Sequence, residues 1–89
     1  MPGSLVKLRA SDGSKLLTVS NLPNGLTGVA FDGANVWVTA RLSNAVSEVR
    51  AADGVVVGTF ATGASPYGVA FDGANVWIAN SGDTVVSRF

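Results

Sequence analysis

The stretch GVAFDGANVWV, residues 28–38, returns as GVAFDGANVWI, residues 68–78, and the two copies differ only in the last residue. A weaker echo relates LRASDG, residues 8–13, to VRAADG, residues 49–54. Both pairs are separated by about 40 residues, a spacing typical of repeat architectures. One repeat unit therefore accounts for nearly the whole chain.

Each repeat contains short runs of Val, Phe, Trp and Thr separated by clusters of Gly, Asn, Asp and Ser, the pattern of strands joined by tight turns. In the central repeat this pattern predicts four strands, at residues 27–31, 36–40, 45–50 and 55–61. The second of these is apolar on both faces, as expected of a sheet lying between two others. Four antiparallel strands per repeat are typical of a β-propeller blade. We therefore predict an all-β fold built from such blades.

Both ends of the chain align with the third strand of the central repeat, because residues 4–8 and 85–89 each match residues 45–49. We therefore predict a single domain, residues 1–89, that holds two blades' worth of chain in three pieces. Those pieces are the third and fourth strands of a shared blade in 4–20, a complete blade in 27–61, and the first three strands of the shared blade in 67–89.

Two blades cannot close on themselves, since propellers have about four to eight. We expect the end pieces of neighbouring identical chains to share one blade, which gives a closed ring without free edges. A homotrimer would have six blades and a homotetramer eight. The residues expected on the assembly strands are Leu5, Val6, Leu8, Leu16, Leu17, Val19, Val85, Val86 and Phe89. The residues expected in the core between blades are Phe31, Trp37, Phe71 and Trp77.

Composition excludes several other classes of protein. The 89 residues contain six basic and six acidic side chains, so no net field attracts nucleic acid or an anionic membrane. With no Cys, neither disulfides nor thiolate metal sites stabilise the fold. The sequence shows no secretion signal and no apolar run long enough to cross a bilayer. The 47% apolar content in so small a chain indicates that some apolar surface meets a partner.

Candidate catalytic groups are few because the chain has neither His nor Cys. Asp32 and Asp72 repeat, but an Asp before Gly in a hairpin normally bonds the backbone of its own turn. A hydrolase or lyase using these two carboxylates is the least favoured hypothesis. Trp37 and Trp77 could stack on sugars, although their place in apolar strands favours core packing. We predict no catalytic residue, no metal site and no cofactor.

A ligand site, if there is one, is expected in loops where the repeats differ, because loops carry function more often than strands do. The relevant loops lie between second and third strands and between consecutive blades, the latter at residues 21–25 and 62–67. The candidate residues for a small polar ligand or glycan are Arg41, Asn80, Asp83 and Tyr67.

The phrase in residues 68–77, followed by ANSGD and then VVS, resembles the blade repeats of bacterial propellers related to the virginiamycin B lyase and NHL-like groups. The resemblance covers almost the whole chain and implies a propeller fold. It implies no single activity, since such groups include a lyase, binding proteins and others. The lyase members depend on a histidine that this chain lacks. A start and a stop inside a blade favour a fragment or an engineered assembly over an intact natural gene.

The leading functional hypothesis from the sequence is thus a non-enzymatic structural module that closes a ring from identical chains. The alternative is a multivalent binding module for a glycan or another small polar ligand on the loop face.

Overall fold

The structure is a computed structural model that describes residues 2–9, 11–82 and 86–89. These residues form antiparallel strands and one short 3-10 helix, Arg41–Ser43. The strands are β1 (Pro2–Leu8), β2 (Lys15–Asn24), β3 (Leu26–Phe31), β4 (Asn35–Ala40), β5 (Ala45–Arg50), β6 (Val56–Ala61), β7 (Pro66–Phe71), β8 (Val76–Asn80) and β9 (Val86–Arg88).

The strands form three sheets, and in each sheet strands that are consecutive in sequence are neighbours. The first sheet is β1-β2, the second is β3-β4-β5-β6 and the third is β7-β8-β9. Every pairing is antiparallel. The predicted all-β fold with antiparallel sheets is confirmed.

The strand bounds of the central repeat agree with the prediction to within one residue at each end. The prediction was wrong between the first and second sheets, where residues 21–25 were expected to form a loop. Instead β2 continues to Asn24, because Pro2 pairs with Asn24 and Gly3 with Leu22. Leu22 is buried there. The segment is a strand because it has both a ladder partner and an apolar anchor.

The turn between β3 and β4 requires a left-handed backbone. Gly33 has φ of 102°, and Gly73, in the corresponding turn between β7 and β8, has the same value. L side chains rarely adopt this conformation, whereas glycine does so at no steric cost. The Asp-Gly pairs of the repeat therefore form the predicted hairpin turns.

The second sheet lies between the other two and uses both of its faces. On one face, Val49 packs with Val19 and Leu22 of the first sheet. On the other, Trp37 and Val46 pack with Val76 and Ile78 of the third sheet. The alternation of side chains along a strand places these two sets on opposite faces. The apolar second strand is thus buried on both sides, as its composition predicted.

Within residues 2–9, 11–82 and 86–89, none of the helical structure is long or apolar enough to span a bilayer.

Candidate functional site

The second and third sheets pack against each other through buried side chains of both sheets. Three aromatic rings meet at the outer part of this contact. The Trp37 and Phe60 ring centroids lie 5.9 Å apart in a stacked arrangement, and Phe89 lies 6.1 Å from Trp37 and 5.7 Å from Phe60. Aromatic pairs at such distances contribute about 0.5–1.5 kcal/mol beyond the burial of their area. We call this contact the internal interface.

Strands β3 and β7 approach each other so closely in the internal interface that β3 requires a glycine there. A Cβ added at Gly28 of β3 would lie 2.6 Å from the Tyr67 carbonyl oxygen and 3.2 Å from the Val69 Cγ1 atom. The Thr39 hydroxyl donates to the same Tyr67 carbonyl at 3.1 Å. Backbone of β7 therefore occupies the space that a side chain at position 28 would need.

Each tryptophan of the repeat is held by an aspartate of its own hairpin. Asp32 Oδ1 accepts hydrogen bonds from the backbone N–H groups of Ala34 at 2.9 Å and Asn35 at 2.7 Å. Its other oxygen, Oδ2, accepts from Trp37 Nε1 at 2.8 Å. The hydrogen bond from Trp37, followed by that from Asn35, lowers the pKa of Asp32. The carboxylate therefore stays ionised and fixes both the turn and the indole.

The second copy of the repeat reproduces this arrangement. Asp72 accepts from the N–H groups of Ala74 and Asn75, both at 2.8 Å, and from Trp77 Nε1 at 2.5 Å. The hydrogen bond from Trp77 is the main cause that lowers the pKa of Asp72. The prediction that these aspartates bond their own turns is confirmed. The bond to the indole was missed, although the repeated offset of five residues between Asp and Trp is a signal that could have indicated it.

The other two Asp-Gly turns are similar but lack an indole. The pKa of Asp12 is lowered by hydrogen bonds from Ser14, and that of Asp53 mainly by the N–H of Val55. Arg50 and Asp53 also form an exposed ion pair at 3.1 Å, a kind of contact that contributes little to stability. Among the described residues, no three acidic, His or Cys side chains gather where they could hold a metal ion.

An open groove of about 400 Å³ lies between the first and second sheets. We call it the groove, and its lining is mostly apolar. The residues that line it are Leu5, Val6, Lys7, Leu17, Val19, Val29, Phe31, Val36, Val49, Arg50, Ala51 and Gly54. Val29 and Phe31, on the edge strand β3 of the second sheet, are each 58% exposed. The first sheet thus covers only part of this face.

The third sheet has a second open surface, on the side facing away from the second sheet. Trp77 is 40% exposed there, and the Arg88 guanidinium lies 5.8 Å from its ring centroid. Within the part of the chain that the structure describes, a Cβ added at Gly68 would have only Ala79 Cβ within 4 Å, at 3.9 Å. We call this side of the third sheet the Trp77 face.

The residues predicted on the assembly strands fall into three groups. Those already packed inside the chain are Leu5, Leu17, Val19 and Phe89. Those that are exposed are Val6, Leu16 and Val86. For Leu8 the structure describes only its place in β1, and Val85 lies outside the described residues.

Of the four residues predicted in the core between blades, Trp37 is buried in the internal interface. The other three are exposed in the single chain, and they are Phe31, Phe71 and Trp77. Their burial between blades stays a prediction, since it concerns an assembly.

The structure does not gather the predicted ligand residues into one pocket among the described residues. Arg41 is exposed in the 3-10 helix, and the Tyr67 side chain is exposed on β7. Asn80 is buried at the end of β8 and donates to the Ser87 hydroxyl at 3.0 Å. Asp83 lies outside the described residues.

Comparison with known proteins adds a likeness of fold. No family model and no curated protein sequence matches the chain. The chain is similar in structure to Kuenenia stuttgartiensis hydrazine synthase. The TM-score is 0.89, the sequences are 22% identical, and the match covers 96% of this chain and 26% of that one. The chain therefore shares its fold with about a quarter of a longer polypeptide, and identity this low carries the fold alone.

Proposed function

We propose that this chain is a non-catalytic structural module that closes a β-propeller ring from identical copies. The observation that carries the proposal is the arrangement of the sheets. In the described residues a complete four-stranded sheet lies between two sheets of two and three strands, and the two-stranded sheet covers only part of its face. A propeller blade typically has four antiparallel strands. Its innermost strand packs closely against the next blade, and a glycine in that strand allows this approach. The two outer sheets together supply the strands of one further blade.

The free edges support assembly between copies. In the described residues, β9 pairs only with β8 and β2 only with β1. Unpaired strand edges are templates for pairing with another chain. Joining β2 of one copy to the third sheet of the next would complete a four-stranded sheet and remove both edges. Since β1 and β9 both correspond to the third strand, only one of them is retained in each shared blade.

Exposed apolar side chains add a driving force. Five large aromatic residues are more than a third exposed in the single chain, and they are Phe31, Phe60, Tyr67, Phe71 and Trp77. Burial of apolar area contributes roughly 25 cal/mol per Å². Association that covers these rings is therefore favoured by several kcal/mol before the entropy lost on association is counted.

The likeness to hydrazine synthase agrees with a module that needs further blades, because there the matched region is about a quarter of the chain. It supports no transfer of that enzyme's chemistry. The carboxylates of both hairpin repeats are engaged by their own turns and indoles, which favours the non-catalytic function.

Measurement of mass in solution tests the proposal. Sedimentation velocity and native mass spectrometry at micromolar concentration should give one species of three or four copies of the 9.0 kDa chain. Closure predicts that this species does not grow on further concentration. A well-folded monomer, a dimer with open edges, or an open series of polymers would contradict the ring.

The alternative is a multivalent binding module, and the exposed Tyr67 ring and Arg41 side chain are the observations in its favour. Repetition around a ring would raise the avidity for a glycan. The alternative predicts glycan-array binding that Tyr67→Ala or Arg41→Ala abolishes without changing the mass of the assembly. Absence of any array signal from the assembled protein would leave the structural function alone.

A further inference from the structure

The internal interface is a template for a second contact, because the repeat presents the same surface twice. Residues 28–37 and 68–77 are identical in sequence, and each copy fixes its tryptophan through an aspartate five residues earlier. Trp37 is covered by the third sheet. The Trp77 face has the same residues at the equivalents of Gly28, Ala30 and Trp37, and it is open.

The surface that covers Trp37 also has a repeat equivalent. Trp37 packs with Val76 and Ile78 and lies against the Phe89 ring. The corresponding residues of the second sheet are Val36, Val38 and Val49. They share one face of that sheet, since Val36 is opposite Val49 in the β4–β5 ladder and Val38 follows two residues later. Two of the three, Val36 and Val49, line the groove.

The first sheet already makes the outer half of the equivalent contact. In the internal interface Phe60 of β6 lies against Phe89. The repeat equivalents of these residues are Val19 and Val49, and they pack together between the first and second sheets. The part of the contact that Trp37 makes in the internal interface has no counterpart in the first sheet, because the described first sheet has two strands. The groove lies at this position.

We propose that the Trp77 face of one copy docks against the second sheet of another copy, with the Trp77 indole seated in the groove. The inference rests on the proposed assembly and names its contact surface. A second copy is the occupant because its Trp77 is the repeat equivalent of Trp37, with which the second sheet already covers Val76 and Ile78 inside one chain. Val29 and Phe31 of the receiving copy become covered in the process.

Differences between the template and the new contact determine how strong the new contact is. Thr39, whose hydroxyl donates to the Tyr67 carbonyl, is replaced by Ala79 on the Trp77 face, so that hydrogen bond has no equivalent. Phe89 is replaced by the smaller Val49, which removes an aromatic contact. We therefore expect the contact between copies to be weaker than the internal interface, and to dissociate in denaturant before the single chain unfolds.

Position 68 offers a sharp test because its equivalent, Gly28, is crowded and Gly68 is open. In the single chain a Cβ atom at position 68 would have, among the described residues, only Ala79 Cβ within 4 Å, at 3.9 Å. In the docked state it would meet the backbone of residue 27 and the Val29 side chain of the other copy, as Gly28 meets Tyr67 and Val69. We expect Gly68→Val to remain folded by circular dichroism and to sediment as a 9.0 kDa monomer.

Gly28→Val is the matched control, since the same change there displaces β7 within the chain and should lower the denaturant midpoint of the fold itself. Val29→Arg blocks the receiving side, and the 58% exposure of Val29 makes the change tolerable to the single chain. Each blocked variant retains one intact surface. An equimolar mixture of Gly68→Val and Val29→Arg should therefore form a 1:1 dimer, although each is monomeric alone.

The outcomes separate this inference from the proposed function. A monomeric wild-type chain would overturn both. A wild-type ring together with a Gly68→Val variant that assembles normally would overturn the docking surface and leave the ring intact. Failure of the mixture to form a dimer, with both variants folded, would also overturn the docking of the Trp77 face into the groove.

Discussion

Replacing Trp37 by Ala should destabilise the single chain more than replacing Trp77 by Ala. The two residues occupy equivalent positions and make the same hydrogen bond to an aspartate of their hairpin. They differ in burial, since Trp37 is 8% exposed and Trp77 is 40% exposed, so that their buried fractions differ by about a third of the residue. Comparing the two variants therefore isolates the effect of the internal interface.

The expected difference can be estimated from area. A large aromatic side chain buries up to about 250 Å², so a third of it corresponds to roughly 80 Å². At about 25 cal/mol per Å² this area is equivalent to roughly 2 kcal/mol. The cavity left among Val46, Val76 and Ile78 adds to the loss, and Trp→Ala changes in cores cost about 3–5 kcal/mol in total.

Urea unfolding followed by circular dichroism measures this difference. The protein concentration should be low enough that the midpoint no longer depends on it, so that only the single chain is observed. Equal losses in the two variants, or a greater loss for Trp77→Ala, would refute the assignment of Trp37 to a buried contact between the second and third sheets.

Two further predictions concern the same chain. Ile78→Val makes residues 68–78 identical to residues 28–38 and removes one methylene from a fully buried site. It should lower the free energy of unfolding by about 0.5–1.5 kcal/mol, and no change in the urea midpoint would argue against tight packing at β8. Stability should also fall in acid. The folded-state pKa of Asp32 lies below its ordinary value of 3.8, so its contribution is present above that value and is lost as the pH falls through the folded-state pKa. Urea midpoints measured as a function of pH should show this loss, with a smaller slope in Asp32→Asn, and a rise in stability on acidification would contradict it.

The repeat was enough to predict the strands and turns of the two hairpins that it contains. Residues 28–38 and their copy contain both the alternation of a strand pair and the Asp-Gly turn that joins it, so local chemistry determined β3, β4, β7 and β8. The structure of the segment that follows Ser20 was harder to predict. Pro23 and Asn24 resemble a loop, and only the pairing of β2 with Pro2 and Gly3, near the start of the chain, makes their segment a strand.

Positions of the candidate site residues were less predictable than the strands. The repeat of about 40 residues showed that Trp37 and Trp77 occupy equivalent positions. It did not show that Trp37 would be covered by another sheet and that Trp77 would be open to solvent. That difference depends on which sheet follows each of them in space. The polar loop residues were chosen because they break the repeat, which says nothing of burial, and Asn80 accordingly lies inside while Arg41 is exposed.

The bond between each aspartate and the tryptophan five residues later has a consequence for how such a chain can grow. The contact is local, so every copy of the hairpin orients its own indole without help from the rest of the molecule. A tandem duplication of the gene segment would therefore add a hairpin whose indole is already oriented for contact. Preorganised surfaces lose less conformational entropy when they meet, so a unit added in this way would associate at a lower entropic cost.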